Sequence, residues 1–262
     1  MHPKPERIMK RHLVAVILVA FVSLQCTGKS QNPTSSSDSD DHSSESGGTD
    51  GEGEFVLPDV FNHFIEAVSI TVDANWVTLQ SEGVPNYTSP YWGSGHGLYE
   101  APHAGMTVNP NFIETFSLEF RIPLNPEVTS SVTATSFGPV GIAVNGVSLY
   151  NQNAAPGDVL ANEFPTFDRY LGHPTPTGQY HYHVEPLYIT DDGSHLVGFL
   201  LDGFPVYGRK DQDGSYPTDL DTANGHTGVT ADYPDGIYHY HITETDPYIS
   251  DGYKGTPGTV TQ

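Results

Sequence analysis

The chain has one cysteine, Cys26, among its 262 residues, so no disulfide can form within it. Basic side chains are also scarce, because 10 lysines and arginines stand against 32 aspartates and glutamates, for a formal net charge of −22. Such a balance repels phosphate backbones and anionic lipid surfaces. We therefore expect no nucleic-acid partner, and contact with a membrane only through a signal segment or a lipid anchor.

Several catalytic motifs are missing. The sequence contains no GxSxG elbow, no phosphate-binding Gly-Lys motif and no HExxH pair. The single cysteine precedes the part of the chain that we expect to fold, so a cysteine nucleophile is missing there too. The usual signatures of serine esterases, P-loop proteins, zincins and cysteine-dependent enzymes are therefore absent.

Residues 1–26 have the layout of a secretory signal. Basic residues precede an apolar run at 13–24, which is too short to span a bilayer. Cys26 then stands where a bacterial lipoprotein carries its lipid, whereas Gln25 favours ordinary signal cleavage. Both alternatives predict an exported protein, which is either secreted or anchored as a cell-surface or periplasmic lipoprotein.

The rest of the chain divides into a tether and a folded domain. Residues 27–54 are rich in Ser, Asp and Gly and lack aliphatic and aromatic side chains, which predicts disorder. Residues 55–262 are rich in Val, Thr, Tyr, Phe, Gly and Pro, without a long helical period. We predict an all-β domain, a mainly antiparallel β-sandwich or a compact barrel, with strands within 64–72, 116–124 and 129–137.

The domain contains an internal repeat. GIAVNGVSLY (141–150) aligns without a gap with GFLLDGFPVY (198–207), and the central Asn-Gly and Asp-Gly pairs predict hairpins with type I′ turns. Tyr-His-Tyr-His follows each hairpin, at 180–183 and at 238–241. We infer a duplicated module whose copies pack about a pseudo-twofold axis. The two predicted copies span about residues 137–188 and 195–246.

Each Tyr-His-Tyr-His strand places two histidines on one face, because side chains alternate across a strand. Packing alone can produce this alternation, but two copies favour a metal or catalytic role. Imidazoles at this spacing can converge on one metal ion, at about 2.0–2.1 Å for zinc. A further histidine precedes each strand. The candidate ligands are His181, His183, His239 and His241 in the strands and His173 and His226 ahead of them.

Glu185 continues the histidine face of the first copy, where the second copy has Thr243. It is the candidate catalytic residue, as a general base, although a ligand or a ligand-orienting role is also open. The sequence does not decide whether the two histidine pairs share one ion or bind two. Imidazole suits zinc, copper, nickel and iron alike, and we expect copper or zinc, with a small preference for copper in an exported protein.

Two further regions carry candidate side chains. The loop 87–105 combines four aromatic residues with His96 and His103, and it is a sugar-stacking platform, a source of further ligands or a cap on the core. Acidic turns offer oxygen ligands for calcium, although Asp and Gly are also what turns require. These turns lie at 211–214, 219–225 and 232–236.

An ordered set of motifs resembles the YHYH-domain family. The set lies within about residues 137–255 and comprises GIAVNGVSLYN, GHPTPTGQYHYH, LVGFLLDGFPVYGR, NGHTGVTADYPDGIYHYHIT and DPYISDGYKG. The resemblance implies a secreted or surface-associated protein. It strengthens the assignment of the histidine site but implies no reaction.

Three functions are compatible with the sequence. The first is an exported metal-binding protein with a histidine site built from the two strands, either an oxidoreductase or a metal-handling protein. The second is a metal-dependent hydrolase or lyase that acts on extracellular polymers, with Glu185 or a metal-activated water as the base. The third is a non-catalytic module that binds carbohydrate or a surface. We expect a small molecule or an extracellular polymer as the partner, and the sequence does not predict the oligomeric state.

Overall fold

A computed structural model describes residues 55–262. The predicted signal at 1–26 and the predicted tether at 27–54 lie outside the described residues. The described part consists mainly of strands and turns. Its strands are β1 (Ser69–Val72), β2 (Trp76–Ser81), β3 (Leu118–Pro123), β4 (Thr133–Ala134), β5 (Pro139–Ala143), β6 (Ser148–Tyr150), β7 (Gly172–Pro174), β8 (Tyr180–Tyr182), β9 (Leu196–Leu200), β10 (Pro205–Tyr207), β11 (Gly225–Gly228), β12 (Ile237–His241), β13 (Gly252–Tyr253) and β14 (Thr259–Thr261).

The helices of the described part are short 3₁₀ segments. They span Asp59–His63, Pro90–Trp92, Leu160–Asn162 and Phe164–Thr166. Within residues 55–262, no helix has the length and apolar character needed to cross a membrane.

Two open sheets share one core, and β13 and β4 form a separate antiparallel pair. Strands β1, β2, β3 and β14 form an antiparallel sheet in that order, and a mixed sheet has the order β11-β12-β10-β9-β5-β6-β8-β7. Leu79 and Phe120 from the smaller sheet belong to the same buried cluster as Ile142 and Phe199 from the larger one. The all-β, sandwich-like prediction is confirmed. Neither sheet closes in the described part, so the barrel alternative is wrong.

The three predicted strand segments agree with the structure to different degrees. Segment 116–124 contains β3, whereas segment 64–72 is a strand only in its second half, as β1. Segment 129–137 contains only the two-residue β4. The backbone N–H groups of Thr129 and Thr135 instead donate to carbonyls of the C-terminal segment, which replaces a longer ladder.

The two halves of the larger sheet have the same strand arrangement. In each half an antiparallel hairpin, β5–β6 or β9–β10, pairs in parallel with a Tyr-His-Tyr-His strand, β8 or β12. An edge strand, β7 or β11, pairs antiparallel with that strand, and β5 and β9 pair in the centre. The sheet therefore has the order that a repeated module predicts. The duplication itself stays a prediction.

The hairpin turns differ from the type I′ prediction. Gly146 and Gly203 have φ of 83° and 84°, but neither Asn145 nor Asp202 has a positive φ. The N–H of each glycine donates to the carbonyl three residues earlier. This is the geometry of a three-residue loop that ends on a left-handed glycine, so the type I′ prediction is wrong.

The residue before each of these glycines anchors a tyrosine of the core. Asn145 Nδ2 donates to the hydroxyl of Tyr182 at 3.0 Å, and Asp202 accepts from the hydroxyl of Tyr240 at 2.6 Å. All four tyrosines of the two strands belong to the buried core. Because side chains alternate, the histidines lie on the opposite face of the sheet.

Candidate metal centres

Two separate groups of histidines lie on the larger sheet, one at each Tyr-His-Tyr-His strand. The first histidine site consists of His173, His181 and His183. The second histidine site consists of Asp211, His226, His239 and His241. Within each site, one ligand atom per side chain lies within 4.8 Å of those of all the others. The structure thus brings the six predicted histidines together in threes, and the two strand pairs belong to different sites.

Strand register supplies the third imidazole of each site. His173 on β7 lies opposite His181 on β8, and His226 on β11 lies opposite His239 on β12. Directly opposite residues of antiparallel strands have Cβ atoms about 4.5–5.5 Å apart on the same face. The loop between the two strands is longer in the second copy, yet the register is the same. The sequence spacing of the histidines differs between the two copies, but their pairing across the strands is the same.

An aspartate holds each edge strand against its neighbour, buried in the first copy and half-buried in the second. Asp168 accepts hydrogen bonds from the Tyr180 hydroxyl at 2.6 Å and from the backbone N–H of Tyr170 and Gly172, and burial raises its pKa. Asp221 stands in the same position of the second copy. It accepts from the Tyr238 hydroxyl and from the N–H groups two and four residues later.

This arrangement corresponds to a second repeated motif, Asp-x-x-x-Gly-His, at 168–173 and 221–226. In both copies the residue before the glycine has φ of 63°. The glycine itself lies so close to the tyrosine ring that a Cβ atom would overlap it. The motif was readable in the sequence, but our sequence analysis identified only its histidine.

Imidazole nitrogens converge in the second histidine site. Nε2 of His226 lies 3.1 Å from Nε2 of His239 and 3.2 Å from Nε2 of His241. Oδ1 of Asp211 lies 3.3 Å from Nε2 of His226 and of His241. An ion with bonds of about 2.0–2.1 Å in a tetrahedral site has ligand atoms about 3.3 Å apart. These four distances match the spacing of a tetrahedral metal site, and the remaining two pairs lie within 4.8 Å.

The first histidine site has a similar arrangement with a glutamate beside it. Nε2 of His181 lies 2.9 Å from Nε2 of His183, and Oε2 of Glu163 lies 3.4 Å and 3.6 Å from Nε2 of His173 and of His183. Nε2 of His173 is buried and has no hydrogen-bond partner within residues 55–262. Leaving a buried nitrogen unpaired is unfavourable, and a bound cation would relieve that cost.

The Nδ1 atoms point away from both sites and contact oxygen atoms. Four of the six contact main-chain carbonyls, which can only accept, so these imidazoles donate through Nδ1 and carry a lone pair on Nε2. The contacts are to the carbonyls of Gln179 (His181), Asn151 (His183), Ile237 (His239) and Gly208 (His241), to Thr166 Oγ1 (His173) and to Asp219 Oδ1 (His226).

Burial keeps the strand histidines neutral near pH 7. Burial, with a smaller contribution from His183, lowers the pKa of His173 to about 3. Burial lowers the pKa of His183 and of His239 to about 4 and also lowers the pKa of His181 and His241. These five imidazoles therefore present unprotonated nitrogens, which is the state that binds a metal ion.

Glu185 does not belong to either histidine site. Its carboxylate is buried, forms an ion pair with Arg209 at 2.7 Å and accepts the backbone N–H of Asp192 at 2.8 Å. Burial raises its pKa, with the Asp192 hydrogen bond and the Arg209 charge opposing the shift. The chain turns after β8, so the strand alternation that suggested a shared face ends before this residue. Its catalytic role stays a prediction.

The carboxylates near the histidines come from loops. Asp211 belongs to one of the acidic turns assigned to calcium, but it lies at the second histidine site. Asp219, in the next turn, orients His226. Within residues 55–262, none of these turns forms a potential ion site apart from the histidines, and calcium stays a prediction. Sequence analysis missed Glu163, because no spacing rule connects it with the strands.

The aromatic loop at 87–105 packs against the core without joining either site. Tyr87 is buried and hydrogen-bonded to Tyr182 at 2.6 Å, while the rings of Trp92 and His96 stack at 4.2 Å. Nε2 of His103 contacts a main-chain carbonyl at 3.1 Å. The structure places neither His96 nor His103 in a potential metal group, and a capping role accounts for the buried tyrosine.

Comparison with known protein families identifies a match for the histidine-bearing part of the chain. The family model described as "YHYH protein" matches residues 119–218 and 211–255, which together are more than half of the chain. No curated protein and no solved structure matches.

Proposed function

The chain belongs to the YHYH protein family, and we propose that it is an exported metal-binding protein in which each Tyr-His-Tyr-His strand holds one ion. The observation that carries this proposal is the convergence of Nε2 atoms at 2.9–3.2 Å in both histidine sites. Four of the six imidazoles have their Nδ1 on a carbonyl, so their proton lies on the far side of the ring.

Without a cation, such a site brings lone pairs together. A protonated imidazole could instead donate from Nε2 to its neighbour, but burial opposes protonation by lowering the pKa of five of the six. A bound cation removes the repulsion between these lone pairs, because every converging nitrogen then donates its electron pair to the ion. Deprotonated, preoriented imidazoles are what a metal site requires.

The donor set favours zinc over copper. Three imidazoles and one carboxylate at near-tetrahedral spacing match the usual four-coordinate zinc geometry. A carboxylate is a harder donor than the thiolate or thioether ligands that select copper(I). Zinc would supply Lewis-acid rather than redox chemistry, and copper is the alternative that fits an exported protein.

Metal content tests the proposal. The full chain without a histidine tag would be purified in chelator, incubated with zinc or copper, desalted and measured by elemental analysis. We expect two ions per chain, and one each in His181→Ala/His183→Ala and in His239→Ala/His241→Ala. The control His96→Ala/His103→Ala removes two histidines outside the sites and should retain two ions.

Circular dichroism shows whether each variant is folded. A folded wild-type chain that binds neither zinc nor copper would overturn the proposal. So would a strand variant that keeps both ions. His226→Ala tests the second histidine site further. His226 is less buried than His239 and His241, so its replacement perturbs the core less.

A further inference from the structure

The two histidine sites differ in the space beside them. A cavity of about 440 Å³ lies against the first histidine site and is lined by His173, His181 and His183. This volume is in the range of small-molecule sites. The pocket against His239 and His241 has about 30 Å³, which is about the volume of one water molecule.

The fourth ligand also differs. Asp211 Oδ1 lies within 4.8 Å of all three nitrogens of the second histidine site, whereas Glu163 does not complete such a group at the first. A space of about 520 Å³ borders His226 and Asp211, but it is a more open groove, and its wall carries the carboxylates of Asp211 and Asp213. A metal site with four protein ligands is closed, and a site with three keeps a position for another ligand.

The walls of the cavity at the first histidine site are mainly apolar. They include Phe137, Ala154, Pro174 and Pro176, and within residues 55–262 no lysine or arginine lines this cavity. An anionic ligand would find no basic side chain there, and it would meet the net charge of −22 on the chain.

Polar groups in the wall are largely engaged within the protein. Asn109 uses its amide N–H for the Pro174 carbonyl and its amide oxygen for the Asn111 N–H. The Tyr150 hydroxyl donates to Gln179 at 2.7 Å. The histidine cluster with Glu163 forms one end of the cavity, and the side-chain amides of Asn111 and Asn153 also line it. A ligand that fits has an apolar body and one oxygen donor at its end.

We propose that the first histidine site binds a small uncharged aromatic molecule through a ring hydroxyl, with the ring in the cavity next to Phe137, while the second histidine site is closed and structural. This rests on the proposed metal-binding function. Glu163 lies beside His173 and His183 at this end of the cavity, so a neutral hydroxyl there can donate a hydrogen bond to its carboxylate. The Phe137 side chain is 60% exposed, so it can contact a ring without rearrangement of the core.

The test uses 3-nitrophenol, which carries one hydroxyl, is largely uncharged near pH 7 and changes its absorbance when that hydroxyl ionises, and nitrobenzene as a matched probe without a hydroxyl. The zinc-loaded full chain, with its zinc content measured before and after, would be titrated with each near pH 7. We expect 3-nitrophenol to bind the wild type and His239→Ala/His241→Ala, and not the metal-free chain or His181→Ala/His183→Ala. Nitrobenzene should bind at least tenfold more weakly.

Two further variants test the cavity itself. Phe137→Ser removes an exposed ring, and Ala155→Trp fills space at the exposed rim. Both should keep two zinc ions, and Phe137→Ser should weaken 3-nitrophenol binding about threefold to tenfold. Equal binding by the variant that lacks the first site would overturn the inference, as would no binding by a chain that contains both ions. A chain without zinc at the first site would overturn the proposed function itself.

Discussion

Replacement of Gly172 by alanine tests the unit that positions the first histidine site. A Cβ atom at Gly172 would lie 2.5 Å from two ring carbons of Tyr180, where carbon atoms normally stay about 3.5–4.0 Å apart. Gly172 has an ordinary φ, so backbone strain does not contribute. The ring of Tyr180 must therefore shift by about 1 Å, or β7 must separate from β8.

The cost follows from what Tyr180 contacts. Its ring is fully buried, and overpacking a core costs about 1–3 kcal/mol. Its hydroxyl donates to the buried Asp168 at 2.6 Å, and loss of a hydrogen bond to a carboxylate costs about 1.5–3 kcal/mol. We expect Gly172→Ala to lower the free energy of unfolding by about 3–5 kcal/mol, a fall in Tm of about 6–20 °C.

The same shift displaces His173 relative to His181, so Gly172→Ala should lose the first ion and keep the second. Thermal unfolding of the metal-free chain and zinc content by elemental analysis measure the two effects. Gly97→Ala is the matched control, because no atom lies within 4 Å of a Cβ there. A Gly172→Ala chain with wild-type stability and two ions would refute the close packing of glycine, tyrosine and histidine.

Three further results are expected. Burial lowers the pKa of His183 to about 4, so in the metal-free chain this imidazole is protonated between pH 6.5 and 4 only in the unfolded state. The free energy of unfolding, measured in urea, should therefore fall by about 2 kcal/mol per such histidine from pH 7 to pH 5. A free energy of unfolding that does not change over this range would contradict the prediction. Tyr240→Phe deprives buried Asp202 of a hydroxyl donor and should lower the free energy of unfolding, measured in urea, by about 2–3 kcal/mol; a loss below about 1 kcal/mol would count against this role of the hydroxyl. Glu185→Gln should leave two ions bound, whereas loss of one by elemental analysis would make Glu185 a ligand.

Local patterns predicted the fold class and the hairpins but not the exact turns. The apolar runs of 141–150 and 198–207 and their Asn-Gly and Asp-Gly pairs located both hairpins. The same dipeptides occur in two-residue and in three-residue loops, and the choice depends on strand register across the whole sheet. Asn145 and Asp202 lie where their side chains reach a core tyrosine, a contact from a strand that comes much later in the chain.

The strand part of each site was predictable, and the loop part was not. Alternation alone places His181 beside His183, and the histidine ahead of each strand was correctly included. The pairing of β7 with β8 places His173 beside His181, in the first histidine site rather than the second. Glu163 and Asp211 come from loops without a periodic pattern, so their position near imidazoles could be found only in the folded chain.

The two copies share the frame that holds the imidazoles and differ in what surrounds it. Asp168 and Asp221, with the tyrosines that they bind, set the same register in both halves of the sheet. The carboxylate beside the histidines lies ahead of the edge strand in both copies, but it is Glu163 in one and Asp211 in the other. Because the frame does not depend on these loops, the surroundings of the imidazoles can differ, with an apolar cavity beside the first site and an open groove lined by carboxylates beside the second. In our proposal, the loops around the frame, rather than the imidazoles, separate the roles of the two sites.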